Sequence, residues 1–442
     1  MPKPCRHLSS AARLGSKGAE GVDHDGLMSD PFVHRGVSGV VADASQGRSF
    51  DLLDPELYRR DPHDAWSWMR ANEPVYRDAR NGLWAVTRHA DILDVERRSA
   101  AFVSGQGYRA IWSPSEANMI AHDDPRHRQQ RMLVQPRFTK RSVDERRHAV
   151  ETLTAEVLDQ AIGHAGTGER CSFELVDAIA GRLPARLTAQ LLGFPDDDWR
   201  LLKSWSERLM RTDMRERDGR IFREFAAANQ EFTTRLAEVA QRKLVEPTDD
   251  LISMWLHARI DGEPLSPEAI AHEVGLFISG GAETTRTAIS HGLRELIEHP
   301  EEWERLAADP SLLPGAVEEV LRWVSPLNNM FRRAVADDRI GDQPIGAGDR
   351  IIMLYPSGNR DADVFDDPFR FDIERSPNPH VAFGFGTHLC IGSHVARASL
   401  AAVFGQLAQR LTDLEALTEP DVEANIFARA VVSFRLAGTV RT

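Results

Sequence analysis

At 442 residues, 42% hydrophobic and 27% charged, the chain can bury a large core and reads as globular over most of its length. Its net charge of −13 argues against an affinity of the whole protein for nucleic acid. Three cysteines (Cys5, Cys171, Cys390) are too few and too scattered for a disulfide framework or a structural zinc site, and no run of about 18 apolar residues predicts a transmembrane helix.

Residues 1 to about 48 are rich in Gly, Ser and Asp, hold one aromatic, Phe32, and lack the apolar stretch of a secretory signal. They cannot bury enough apolar surface to offset the entropy of ordering, so a disordered tail is expected, and length alone would suggest two or three domains. Met28 within the tail offers a second start. A cytoplasmic protein with no membrane contact is the expectation.

Ordered structure should begin near Asp51. The run Pro74 to Asp78, the pair Asn81-Gly82 and the run Leu83 to Thr87 predict a β-hairpin. From Arg126 to Arg147 the chain carries eight basic residues (Arg126, Arg128, Arg131, Arg137, Lys140, Arg141, Arg146, Arg147) against Asp144 and Glu145. A solvated helix face would account for them, and so would a docking surface.

From about 145 to 310 the pattern is mainly helical. Ser266-Pro267 supplies an N-cap and a first-turn proline. Apolar residues from Ile270 to Leu296 then recur at helical spacing over some 30 residues, a rod of roughly 45 Å. Within it, Gly280 and Gly281 each cost roughly 1 kcal/mol relative to Ala, which either close packing or room over a flat ligand would explain. Glu283 and Thr284, an acid and a hydroxyl on an otherwise apolar rod, follow at once. Arg350 to Tyr355 reads as a buried strand, and a Pro/Asp/Asn-rich stretch to about 380 is irregular.

The segment Phe383 to Gly392, FGFGTHLCIG, sets Cys390 among glycines that allow a close backbone approach. Helical periodicity resumes at Ser393, placing Cys390 at a helix N-terminus, where exposed N–H groups favour a thiolate.

This segment resembles the haem-binding signature of the cytochromes P-450, F-G-x-G-x-[HR]-x-C-x-G, at every fixed position. Gly280, Gly281, Glu283 and Thr284 match the family's [AG]-G-x-[DE]-T motif, about 100 residues upstream and in the family's order. The resemblance implies a mainly α fold with small β-sheets, and haem b buried between the long helix and the cysteine loop; since the contacts it implies run from 127 to 392 around one haem, one domain over 49–442 is expected. It makes Cys390 the axial ligand of the iron, the thiolate ligation general to this family. Phe383 would pack beside the sulfur, with Gly384 and Gly392 in the same loop, and His388 would bond a haem propionate. His127, Arg131 and Arg332 match further propionate contacts, with Arg333 the neighbouring alternative. Glu283 and Thr284 would deliver protons to dioxygen, one oxygen of which leaves as water. Glu319 and Arg322 match a fold-stabilising pair, joined by Arg375.

The activity implied is a monooxygenase that hydroxylates or epoxidises a small hydrophobic substrate with O2. Electrons would come from NAD(P)H through a ferredoxin reductase and an acidic ferredoxin docked on the basic 126–147 face. The resemblance implies a pocket lined by residues 105–120, including Tyr108, Ile111 and Trp112, by residues near 200–225, and by Asn328, Asn329, Met330, Ile426 and Phe427. The alternatives are a haem-thiolate sensor or electron-transfer protein that does not oxygenate, and a peroxide-driven peroxygenase of the same fold.

Overall fold

The computed structural model describes residues 48–111, 114–211 and 219–441, and in it the expected hairpin is present. Strand β1 (Val75–Asp78) pairs antiparallel with β2 (Leu83–Val86), Asp78 opposite Leu83. Gly82 takes φ +65°, and Asp78 holds the turn by accepting the Asn81 N–H at 3.1 Å and its side-chain amide at 2.7 Å. The expected disordered tail, with Cys5 and Met28, and the pocket candidate Trp112 lie outside the described residues.

Downstream come α1 (His89–Arg97), β3 (Phe102–Val103), α2 (Arg126–Val134), β4 (Arg170–Glu174), α3 (Arg182–Leu192), α4 (Trp199–Met210) and α5 (Arg220–Val245). They are followed by α6 (Pro267–Glu298), α7 (Leu313–Val324), β5 (Met330–Ala334), β6 (Arg350–Met353), α8 (Ser393–Arg410), β7 (Leu411–Ala416) and β8 (Arg435–Val440). One sheet has the order β1-β2-β6-β5-β3, with β6 parallel to β2 and the other pairs antiparallel. A second, β7-β8-β4, is antiparallel throughout. The strand expected to reach Tyr355 ends at Met353, two residues before a helical turn over Tyr355–Gly358 in which Pro356 has no N–H to give a ladder. The fold is mainly helical with small sheets, and among the described residues no helix is long and apolar enough to cross a membrane.

Helix α6 is the spine. Ser266 caps it by accepting the Ala269 N–H at 3.1 Å, and it runs 32 residues, roughly 48 Å. Its first half packs Val274, Phe277 and Ile278 into an apolar cluster with Trp205 of α4, Phe232 of α5 and Trp255. Its second half packs Ile289 and Leu293 into another, with Val320 of α7 and Phe404 of α8. A Cβ on Gly281 would stand 2.8 Å from the Thr188 hydroxyl oxygen, and one on Gly292 2.7 Å from Val320. These positions therefore admit α3 and α7 to close contact, and any larger residue would push them away.

Candidate functional site

The cysteine loop is pinned against the end of α1. Gly384 and Gly386 both adopt φ +67°. A Cβ on the first would meet the Glu96 carboxylate at 3.1 Å, and one on the second would meet the Glu96 carbonyl at 2.7 Å. Glycine is thus required twice over, by conformation and by space. The loop closes where the Cys390 N–H donates to the Phe383 carbonyl at 2.9 Å, and α8 begins three residues on. The helix-terminal position expected for Cys390 is present. Cys390 is exposed to the cavity, and the protein packed around that cavity pushes the thiol's pKa up, opposed by the Gly392 N–H and the charges of Arg131 and Arg397.

The loop forms one side of a cavity of about 480 Å³, to which Phe383, Gly384, His388, Cys390 and Gly392 all contribute. Gly280, Gly281 and Thr284 of α6 line it as well, so the two sequence motifs share one cavity. The glycine pair divides its labour: Gly281 admits α3, whereas a Cβ on Gly280 would meet nothing within 4 Å.

The four basic side chains expected at the cofactor share the wall, which Arg109, Arg137 and Arg146 line as well. His127 and Arg131 lie one helical turn apart on α2, and the His127 ring stacks on His388 with centroids 4.2 Å apart. Arg332 supplies the fourth, which separates it from Arg333: alternation along β5 buries Arg332 and turns Arg333 elsewhere. Burial, with Arg332, His127 and Arg131 nearby, lowers the pKa of His388 to about 2. Burial likewise lowers that of His127. Glu96 is the acid beside Arg332, 3.5 Å from its guanidinium, and it accepts the Tyr355 hydroxyl at 2.7 Å. Burial raises its pKa even so. The two guanidiniums, Arg131 and Arg332, are costly away from water without anions to pair them, and a neutral imidazole can still donate one N–H. The donor set therefore fits an anionic group that shares the cavity with the sulfur.

Thr284 and Glu283 part company. Thr284 reaches the cavity, its hydroxyl donating to the Gly280 carbonyl at 2.8 Å. Glu283 faces away from it and is fully buried, accepting from Arg286 at 2.5 Å, and Arg286 also binds Glu207 of α4. Burial raises the Glu283 pKa, against the pull of Arg286. Sequence neighbours need not share a direction: at 3.6 residues per turn, adjacent side chains on a helix point about 100° apart.

Of the expected pocket residues, Tyr108, Met330 and Phe427 line the cavity. Asn328, Asn329 and Ile426 do not. They lie behind its wall, where Asn328 donates to the Asn425 carbonyl at 3.2 Å and Asn329 to that of Ile426 at 2.6 Å. Ile111 is exposed and outside the lining. Sequence reasoning missed Leu276 and Phe277, which lie one turn before the glycine pair on its own face, a helical spacing that could have found them. Arg109, Met119 and Ile120, within the expected stretch 105–120, line the cavity as well.

Glu319 and Arg322 sit away from the cavity, with Arg375 donating to Glu319 at 3.2 Å. On the basic face, Lys140 and Arg147 pair with Asp144, and Arg141 with Glu145. Arg131 donates to the Leu389 carbonyl at 2.7 Å, which ties α2 to the outer side of the cysteine loop.

A family model described as "Cytochrome P-450" matches residues 198–311 and 307–425. A steroid C26-monooxygenase of Mycobacterium tuberculosis (strain ATCC 25618 / H37Rv) is 36% identical over 84% of this chain and 92% of its own length. A linalool 8-monooxygenase of Pseudomonas putida is 33% identical over 83% of this chain and 93% of its own. Among solved structures, a Mycobacterium marinum enzyme in complex with pseudoionone superposes with a TM-score of 0.80 at 32% identity, covering 89% of this chain and all of that one.

Proposed function

The chain belongs to the cytochrome P-450 family and is a monooxygenase of hydrophobic substrates, and from that premise we propose how its residues divide the work and what it oxidises. Cys390 supplies the thiolate that holds haem b. His127, Arg131, Arg332 and His388 pair with the two haem carboxylates. Residues 49–442 act as one catalytic domain, since the cavity draws its wall from Glu96 through to Phe427. The observation that carries this reading is a single cavity into which Cys390, Thr284 and the four basic side chains all open.

When bound, the haem supplies the iron chemistry that activates O2, so that one oxygen enters a C–H or C=C bond and the other leaves as water. The chain's part is to position, to keep water out and to hold protons. Gly280 leaves room above the flat face. The Thr284 hydroxyl donates to the Gly280 carbonyl at rest; its lone pairs can accept from a water at the cavity wall, and by turning it can donate its proton there. Glu283, behind it and paired with Arg286, is the acid of this relay, and its proton must cross by water or by a turn of the side chain.

The substrate we propose is a steroid or terpenoid, the classes named for the relatives above. Met119, Ile120, Leu276, Phe277 and Met330 give the cavity an apolar wall suited to either. Electrons reach it from NAD(P)H through a reductase and an acidic ferredoxin docked on α2 and the segment after it, in the cytoplasm. The test is Cys390→Ser in protein made with ample haem. The reading requires a thiolate-type reduced carbon monoxide spectrum in the wild type and its loss in the variant. An unchanged spectrum in the variant would refute it.

A further inference from the structure

Apart from the haem-side groups with Glu96, the Arg137–Asp249 pair and Arg146, one further charged element lines the largely apolar cavity wall. Tyr108 and Arg109 line it side by side, each fixed from behind. The Tyr108 carbonyl accepts the Phe331 N–H at 2.8 Å, and the Ala110 carbonyl accepts from Arg350 at 3.2 Å, so this segment is anchored to the larger sheet. Glu116 then gathers the side chains. One of its oxygens accepts from the Tyr108 hydroxyl at 2.5 Å, from Arg109 at 3.0 Å and from Asn118 at 3.0 Å, and its other oxygen accepts from Arg109 at 3.2 Å.

We infer that Arg109 is a specificity-determining residue, which donates to a neutral oxygen, a ketone or a hydroxyl, on an otherwise hydrocarbon substrate. This rests on the monooxygenase reading above and adds the polar end of the substrate to it. Three observations lead there. A largely buried ion pair is a poor device for stability, because apolar residues of similar volume often serve the fold as well or better. A small number of fixed polar groups in an apolar cavity is the usual means of orienting a ligand. The donors also do not balance: Arg109 spends Nε on the Ile111 carbonyl and Nη2 on Glu116, and among the described residues Nη1 makes no hydrogen bond. Two of the five N–H donors of an arginine are thus left over. Glu116 cancels the charge of the guanidinium, so the pair holds no net attraction for an anion, and a carbonyl or hydroxyl oxygen is the matching acceptor.

The test compares 5α-androstan-3-one with 5α-androstane, which differ in one oxygen, as ligands of the haem-loaded enzyme. Dissociation constants come from the optical spin-state shift. The wild type should prefer the ketone by about tenfold, as one hydrogen bond to a charged donor implies. Arg109→Met should bring the ratio to about one. The double variant Arg109→Met with Glu116→Gln, which leaves no unpaired carboxylate, should do the same. Equal affinity for the two compounds in the wild type, a ketone preference that survives both variants, or failure of the wild type to bind the ketone overturns the inference. The carbon monoxide spectrum, recorded on the same samples, separates that failure from failure of the haem-thiolate reading.

Discussion

Both carboxylate oxygens of Glu319 are held by Arg322, at 2.7 Å each, and neither side chain has any exposed surface. Arg322 also donates to the carbonyls of Asn359, Pro368 and Arg370, while Arg375, Asn378 and the Asp372 N–H donate to Glu319. The pair therefore pins the irregular stretch that leads into the cysteine loop.

Removing one charge from it leaves the other buried and unmatched, a loss of about 3–5 kcal/mol. Glu319→Gln should lower the stability of the holoenzyme by that order in urea denaturation and reduce haem content on purification. A variant as stable as the wild type would show that the pair is dispensable.

Glu273 of α6 is fully buried. It accepts from Gln130 at 2.9 Å through one oxygen, and its other oxygen has no partner among the described residues. Burial raises its pKa from 4.5 to about 8, opposed by the Met119 N–H and Arg126. The folded state then keeps a proton that the unfolded chain has lost, so stability falls as pH rises from about 4.5 to about 8, by up to about 1.4 kcal/mol per unit, and levels off above. Glu273→Gln should abolish that slope, with a stability gain over the wild type that grows between pH 5 and 8. Denaturation midpoints measured across the range decide it, and a gain that does not vary with pH counts against it.

Thr284→Ala removes the hydroxyl at the cavity wall and leaves Glu283 paired with Arg286. Electron consumption should continue while product per electron pair falls about tenfold or more, hydrogen peroxide taking its place, since a placed proton donor contributes roughly 10²-fold or more. The ratio of product to NAD(P)H consumed is the measurement, and an unaltered ratio would remove Thr284 from proton delivery.

Arg128 of α2 is exposed, and α2 is joined to the outer side of the cysteine loop through Arg131 and Leu389. Reduction by an acidic two-iron ferredoxin should slow several-fold as salt rises from about 0.05 to 0.5 M, because charge steering is screened over a length of about 10 Å at 0.1 M. Arg128→Glu should slow it at low salt and match the wild type at high salt. Rates indifferent to ionic strength would move the docking site elsewhere.

The amino-acid order alone determined whatever depends on near neighbours. The cysteine loop was legible because glycines two apart allow the positive φ that its turns need. Helix α6 was legible from its cap and its apolar spacing, and α8 from its periodicity. The tertiary structure decided what depends on direction. It set Arg332 rather than Arg333 on the cavity wall through the pairing of β5 in its sheet, turned Glu283 toward Arg286 and Glu207 rather than the cavity, and set Asn328 and Asn329 behind the wall they had been expected to form. The physical reason is that periodicity fixes which residues share a face, but only the partners packed on that face decide whether it meets a cavity, a charge or another helix. Arg109 and Glu116, seven residues apart in an aperiodic segment, become a pair in the folded chain alone.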